Sequence, residues 1–465
     1  NASNVGVGYR ALYGITTGNY NTAIGYQSGD AITTGGNNVV IGKDAGGAMT
    51  TQGGTVLIGY TAGWNINHND AANTVAIGSE CLQALTSGIG NVAVGNGSLY
   101  YEDDGDYSTA IGHHALSTQA GTTGTVGNTA LGYKSGKWLT TGIKSTFIGC
   151  EAGQGIQATK LTGAQNTAVG YQAGFLLQGS AADNIIMGAH AGDAMTTTSN
   201  VVLIGSYAGS AINHTDANGT VAIGYHAGIS LTEGQYSTFV GYAAGYSSDT
   251  NNGNTFIGYL AGYEADAATV VAAQNTYLGA FAGRFLDDGY DNVAVGYDAM
   301  ASNSDSAANA VNRSIAIGRN AMAGSDSNQG TIVIGYYAGD HASADVDNAI
   351  IIGREAGRGA MTSDADGTIA IGFQAGEQNT SGDQNTYLGY SAGWKVQDGA
   401  HNTHVGYNAG AHATGSNNTF FGNNAGYGGQ TSAPYSSGKR NTALGYNALA
   451  GFTTGNYNVA IGYKS

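Results

Sequence analysis

The sequence predicts an all-β protein, a parallel β-solenoid of about 26 coils, on three observations. Twenty-six glycines, from Gly8 to Gly462, each follow an aliphatic residue, or Phe421 in one coil, and two places before that stands Thr, Val or Ile. Fourteen of the 25 intervals between these glycines are 17 residues and the rest run from 16 to 23, as expected of a structural unit that tolerates insertion at one point of its circuit. Composition removes the competing classes. The 79 glycines come with a single proline and only 10% charged residues, which suits neither collagen nor a disordered Gly-rich chain. The sequence therefore reads as one continuous array over residues 1–465 with a modal period of 17 residues.

Each coil is expected to begin with a strand. The segment Thr22-Ala23-Ile24-Gly25 is typical, with a β-branched residue three before the glycine and an aliphatic one directly before it. These two positions share a face at period two, and their apolar character predicts that they point into the core. The residue between them varies from Ala23 to Phe147, Tyr277 and His404. By parity it should lie on the outer face, covered by another chain. The glycine itself, as at Gly25, Gly42, Gly59, Gly170, Gly258 and Gly389, is read as a bend. Three residues later the column is Ala, Ser or Cys in every coil, Ala173 for example, and a Gly follows it in 18 coils. A small residue at every level implies a tight corner, and the following Gly implies positive φ. Where Leu or Met replaces that Gly, from Leu12 to Leu449, a differently turned corner that buries the side chain is expected. A short second strand should lie between the bend and this corner. Gly or Asn seven residues before the key glycine, as at Gly18 and Gly142, marks a polar return turn.

A formal net charge of −16, with 15 Lys and Arg, argues against a nucleic-acid partner, which is held by clustered basic residues. No apolar run reaches the length of a membrane span, so no membrane insertion is expected in this segment. Cys81 and Cys150 lie four coils apart, about 19 Å along the array, too far to pair within one chain; both read as small buried residues. Both ends stop inside the pattern, and residues 11–28 nearly recur as 448–465, so the array is expected to continue in a longer fibre protein.

The string Asn73-Thr74-Val75-Ala76-Ile77-Gly78 resembles the repeat of YadA-like head domains of trimeric autotransporter adhesins. Asn166 to Gly174, Asn-Thr-Ala-Val-Gly-Tyr-Gln-Ala-Gly, is similar to the Gly-Tyr-x-Ala-Gly arrays of bacteriophage tail fibres. The resemblance covers the whole chain. It implies a left-handed β-roll, a side-by-side homotrimer, an extracellular location and attachment to a host-surface glycan or protein receptor. The departures are a longer period than the adhesin head repeat and a Tyr directly after the key glycine in 14 of 26 coils. A phage tail fibre and a bacterial surface adhesin are both implied; a neighbouring chaperone or virion-attachment region would mark the first, a C-terminal membrane anchor the second.

Candidate chemistry is sparse. Asp103, Asp104 and Asp106, and Asp287, Asp288 and Asp291, put oxygen ligands on Gly-containing loops and invite a calcium reading. Each set also stands where other coils carry an ordinary Thr-Thr-Gly turn. The acids lack recurrent partners across a groove, so no catalytic residue, no enzymatic activity and no cofactor is expected. Ice binding through the Thr column is set aside because that column should face the core. The Tyr column reads as a stacked ladder or, if exposed, as a set of sugar platforms. Recognition is placed in the coils that break the repeat: 112–132, 149–170, 258–279, 296–318 and, above all, 422–445, where Pro434, Tyr435, Lys439 and Arg440 form the candidate recognition loop.

Overall fold

A computed structural model describes residues 3–250, 252–264, 274–286, 289–302, 311–324, 327–340, 346–359, 361–362 and 365–465. The chain groups into two compact units, Asn1–Gln235 and Tyr236–Ser465. Each is a parallel β-solenoid. The first stacks thirteen three-residue strands, from Val5–Val7 to Val221–Ile223, and the second thirteen more, from Thr238–Val240 to Val459–Ile461. Pairing is in register with the repeat. Thr22, Ala23 and Ile24 lie beside Val39, Val40 and Ile41, and in the second unit Thr386, Tyr387 and Leu388 lie beside Thr403, His404 and Val405. Columns of the sequence are thus columns of the structure.

The parity of the strand is the reverse of the sequence expectation. The middle residue faces the core: Ala23, Val40, Phe147, Phe256 and Tyr277 are all fully buried. No flanking residue in the 26 strands is buried, and Ile24 and Leu131 are 40% and 47% exposed. A strand of three residues sends one side chain one way and two the other, and the narrow interior takes the single one. The opposite wall of the interior is supplied by the small residue three after the key glycine (Ser28, Ala173, Cys81) and by a larger one seven after it (Ile32, Met49, Leu85, Leu177). Size is traded between columns in places. Phe420 sits in the coil whose seventh position is Gly429, whereas the next coil combines Ala443 with Phe452.

Beside the middle column runs a second internal ladder, which the sequence reading did not single out. Four residues before the key glycine the side chain is Asn in many coils, and it is buried. Asn38 accepts the backbone N–H of Thr55 on Oδ1 at 3.0 Å, while its Nδ2 donates to the Gln52 carbonyl at 2.9 Å. Asn385 and Asn418 repeat the pattern, and the run passes through Asn402, whose own N–H donates to Asn385 Oδ1 at 2.9 Å and whose Oδ1 accepts from Asn418 N–H at 2.8 Å while its Nδ2 lacks a partner. These amides satisfy backbone groups where the chain leaves the turn and enters the strand, so the polar ladder is compatible with a dry interior.

The key glycines have φ between +127° and +145°, with Gly25 at 138°, Gly42 at 135°, Gly59 at 143°, Gly258 at 145° and Gly389 at 136°. A Cβ on Gly170 would stand 2.6 Å from the carbonyl oxygen of Gly188 in the next coil. Both conformation and close approach exclude a side chain. No second strand follows. Two left-handed residues come next, such as Gln27 at φ 51° and Gly29 at φ 55°, and that backbone closes as turns instead of extending. The Leu and Met substitutes adopt the same conformation as the Gly they replace, for example Leu82 at φ 47° and Met322 at φ 56°. The differently turned corner is therefore absent, and the expected burial holds from Leu12 to Met322, while Leu449 is only partly buried.

Candidate functional site

Turning the strand over places two uncharged columns on the surface, one of aliphatic residues or Phe421 and the other of Val, Ile or Thr, with Thr in 12 of 26 coils. Residues three before and one before the key glycine carry no charge in any of the 26 coils. With the half-exposed Tyr column beside them they form an apolar band on each unit. The tyrosines stack along it: Tyr9 on Tyr26 at 5.2 Å and 17°, Tyr242 on Tyr259 at 5.3 Å and 20°, Tyr390 on Tyr407 at 5.0 Å and 15°. The stacked ladder of the sequence reading is present at these levels, and the rings also remain accessible, Tyr171 at 49%. Cys150 occupies the Tyr position of its coil and is exposed, a correction to the expected burial; Cys81 is buried against Ser98, and burial pushes its thiol up to about 11. Ile24 lies in the band and Ala173 in the core.

The second feature is a groove in the first unit, about 560 Å³. Its walls come from residues five and six after the key glycine, the outer side of the corner. Tyr100 and Tyr101 stand in one coil and Lys137 and Trp138 two coils on, while the coil between supplies only Ser117 and Thr118, and the gap left by these small side chains is the groove. The backbone fixes the levels: Tyr101 N–H donates to the Ser117 carbonyl at 3.1 Å, Thr118 N–H to Lys137 at 3.2 Å and Trp138 N–H to Gln154 at 2.9 Å. The Thr118 hydroxyl donates to the Lys137 carbonyl at 2.6 Å. Tyr100 and Tyr101 meet edge to face at 4.6 Å, and the Lys137 ammonium sits 4.6 Å from the Trp138 ring centroid. His114, Glu80 and Lys160 also line it. Partial burial and the nearby Lys134 lower the Lys137 amine, and burial followed by His113 and Lys137 lowers His114. Coils 112–132 and 149–170, both long, contribute to it. The signal available in the sequence was local charge: four of the eight lysines fall between Lys134 and Lys160.

The acidic turn at 102–106 is a hydrogen-bonded loop. Glu102 points inward at the seventh position, fully buried, where Oε1 accepts the Gly105 N–H at 2.7 Å and Oε2 accepts from the Gln119 amide. Gln119 continues the network to Ser108 at 2.9 Å and Asn128 at 2.9 Å. Burial holds the Glu102 carboxyl above its ordinary range. Asp103 accepts from the Gly121 N–H at 3.2 Å and Asp106 from Ile89 at 2.8 Å. Burial and then the charge of Asp103 raise Asp104. Glu102, Asp103 and Asp104 each bring one ligand atom within 4.8 Å of the others. Asp106 is not in that group, Asp291 is exposed at another level, and Asp287 and Asp288 lie outside the described residues. A second exposed group, His214, Asp216 and Glu233, satisfies the same distance.

In the loop of coil 422–445, Pro434, Lys439 and Arg440 are exposed. Tyr435 lies back on the coil body, 5.6 Å from the His412 ring, and Ser436 is buried beside Ala413 in a parallel bridge. Arg440 bonds to the Tyr457 hydroxyl. The loop tip is free and its second half belongs to the ladder. Among the described residues no helix is long and apolar enough to cross a membrane. Comparison with models of protein families gives no match, and comparison with curated proteins gives none.

Proposed function

We propose that the chain is a structural fibre segment: three copies side by side, their apolar bands facing one another, in a bacteriophage tail fibre that contacts a host surface glycan or protein. The observation that carries this reading is the band. Its two columns run through every coil of both units without one charged residue, the one beside the glycine aliphatic or Phe421 throughout and the other Val, Ile or Thr, and an exposed, uncharged and largely apolar surface of that extent marks association. Stacked backbone ladders would give stiffness, array length would set reach, and the acidic remainder of the surface would keep the assembly soluble. The role is mechanical and extracellular, without catalysis. Antiserum against the chain should decorate virion tails and block adsorption. Virions that lack the chain, or polysaccharide hydrolysis lost on replacing Asp103 and Asp104, would overturn it.

One observation favours a second reading, ice binding. The Thr column faces outward, not into the core as expected, with Thr109, Thr129, Thr146 and Thr167 at successive levels. Thermal hysteresis from the monomeric chain would favour this reading over the fibre.

A further inference from the structure

We infer that the groove between Tyr100 and Trp138 binds a carboxylated sugar unit of a surface polysaccharide. The inference rests on the attachment function proposed above and names the chemistry of the receptor. Its first support is charge. On a chain of net −16, this groove is lined by two ammonium groups, Lys137 and Lys160, and one carboxylate, Glu80. Among the described residues, neither lysine makes an ion pair, whereas their neighbour Lys134 is engaged with Glu151 at 3.7 Å. Lys137 is partly buried and Lys160 exposed, and two cations without ion pairs beside one groove favour an anion there, most strongly at Lys137, where an opposite charge is less screened than at open surface.

The second support is shape and surface chemistry. The groove is lined by aromatic side chains, Tyr100 with Tyr101 on one side and Trp138, whose ring carries the Lys137 ammonium, on the other, and by the small hydroxyl-bearing Ser117 and Thr118. A pyranose ring has the matching character, with an apolar C–H face that packs on an aromatic ring and hydroxyls at the edge that hydrogen-bond. A volume of about 560 Å³ lies in the range of small-ligand sites and accommodates one or two sugar rings. Inorganic anions alone would leave the aromatic walls unused, and a neutral sugar would leave the lysines unpaired. A ring bearing a carboxylate uses both.

The third support is placement. The walls stand on the outer side of the corner, away from the strand positions that form the apolar band, so a saccharide and a neighbouring copy of the chain occupy different parts of each coil. The groove arises where the repeat is broken: Tyr100, Tyr101 and Trp138 flank a coil with Ser and Thr at the same positions, and Lys160 comes from the extra residues of coil 149–170.

The test is titration of the full chain with oligogalacturonate, neutral dextran oligomers and inorganic phosphate, followed by tryptophan fluorescence and calorimetry. Oligogalacturonate is expected to bind, to lose affinity as salt is raised and to leave dextran and phosphate at least tenfold weaker. Lys137→Met and Lys160→Met should each lower affinity about tenfold, and Trp138→Ala should abolish the fluorescence change. Because Trp138 packs on the coil, the two lysine variants serve as the folding-neutral arm, checked by unchanged hydrogen exchange. Equal binding of dextran or phosphate, no binding of oligogalacturonate, or binding indifferent to both lysines would overturn the assignment. Sedimentation of the same samples separates the two readings: a trimer that does not bind removes the groove and leaves the fibre, and a binding monomer does the reverse.

Discussion

The strand parity makes a sharp prediction at Phe147 and Ile148, adjacent residues on opposite faces. Phe147 is fully buried, and its ring lies between the backbones of Gly136 and Gly153, where an added Cβ would come within 2.7 and 2.2 Å of it. Its partners in the ladder are Ala130 and Ala168, too small to fill the space if the ring is removed. Phe147→Ala therefore leaves an unrelaxed cavity and should cost about 3–5 kcal/mol. Ile148→Ala removes a half-exposed side chain and should cost about 1 kcal/mol. Hydrogen exchange of peptides covering residues 129–170 reads the effect locally, which matters because long repeat arrays need not unfold in one step. At roughly tenfold per 1.4 kcal/mol, Phe147→Ala should speed exchange there by a factor of about 10² to several times 10³, and Ile148→Ala by less than about tenfold. Any influence of Ile148 on association appears separately, as a change in mass that Phe147→Ala does not produce. Equal acceleration by the two variants at unchanged mass would refute the assigned core.

Further outcomes follow from other columns. His404 is fully buried between Tyr387 and Phe420, at 5.5 and 4.9 Å, and burial pushes its imidazole down to about 3. Its folded-state pKa is lower than the unfolded value near 6.5, so the unfolded chain binds the extra proton; stability is full above pH 6.5 and should fall by about 1.4 kcal/mol per pH unit down to about 3. His404→Phe should remove that slope in acid-denaturation curves of the second unit. Gly170→Ala, at φ 135° and against the Gly188 carbonyl, should destabilise its coil by at least about 1–3 kcal/mol, whereas Gly121→Ala, at a φ of 72° close to the left-handed region and with open space around it, should cost less and lack the clash; thermal melts compare the two. The exposed Cys150 thiol at the edge of the band should alkylate rapidly in a dissociated chain and slowly in the assembly, while Cys81 stays unreactive in both.

The repeat, the strand position, the bend and the small-residue corner were legible because each is a steric demand renewed at every level. Which face of the strand is interior was not legible. Alternation separates two faces without orienting them, and here the outward columns, Ile24 and Thr22, are more uniformly apolar or β-branched than the inward column of Ala23, Phe147 and His404. The inward column varies because its volume is shared with the corner and the seventh position, which sequence spacing alone does not bring together. The asparagine ladder was missed for a related reason: Asn38 and Asn385 stand next to turns, where Asn is ordinary, and only stacking shows that their amides serve the next coil. The groove was hidden in the same way, since Tyr100 and Trp138 are 38 residues apart in sequence and two coils apart in the fold.

The most direct test of the fibre account is the mass of the folded chain by analytical ultracentrifugation, alone and with Ile204→Lys and Ile223→Lys together, which place charges at two successive levels of the band. The account predicts three chains per particle for the natural sequence and dissociation or weakened assembly for the variant. One chain per particle for the natural sequence, with the band open to solvent, would contradict it.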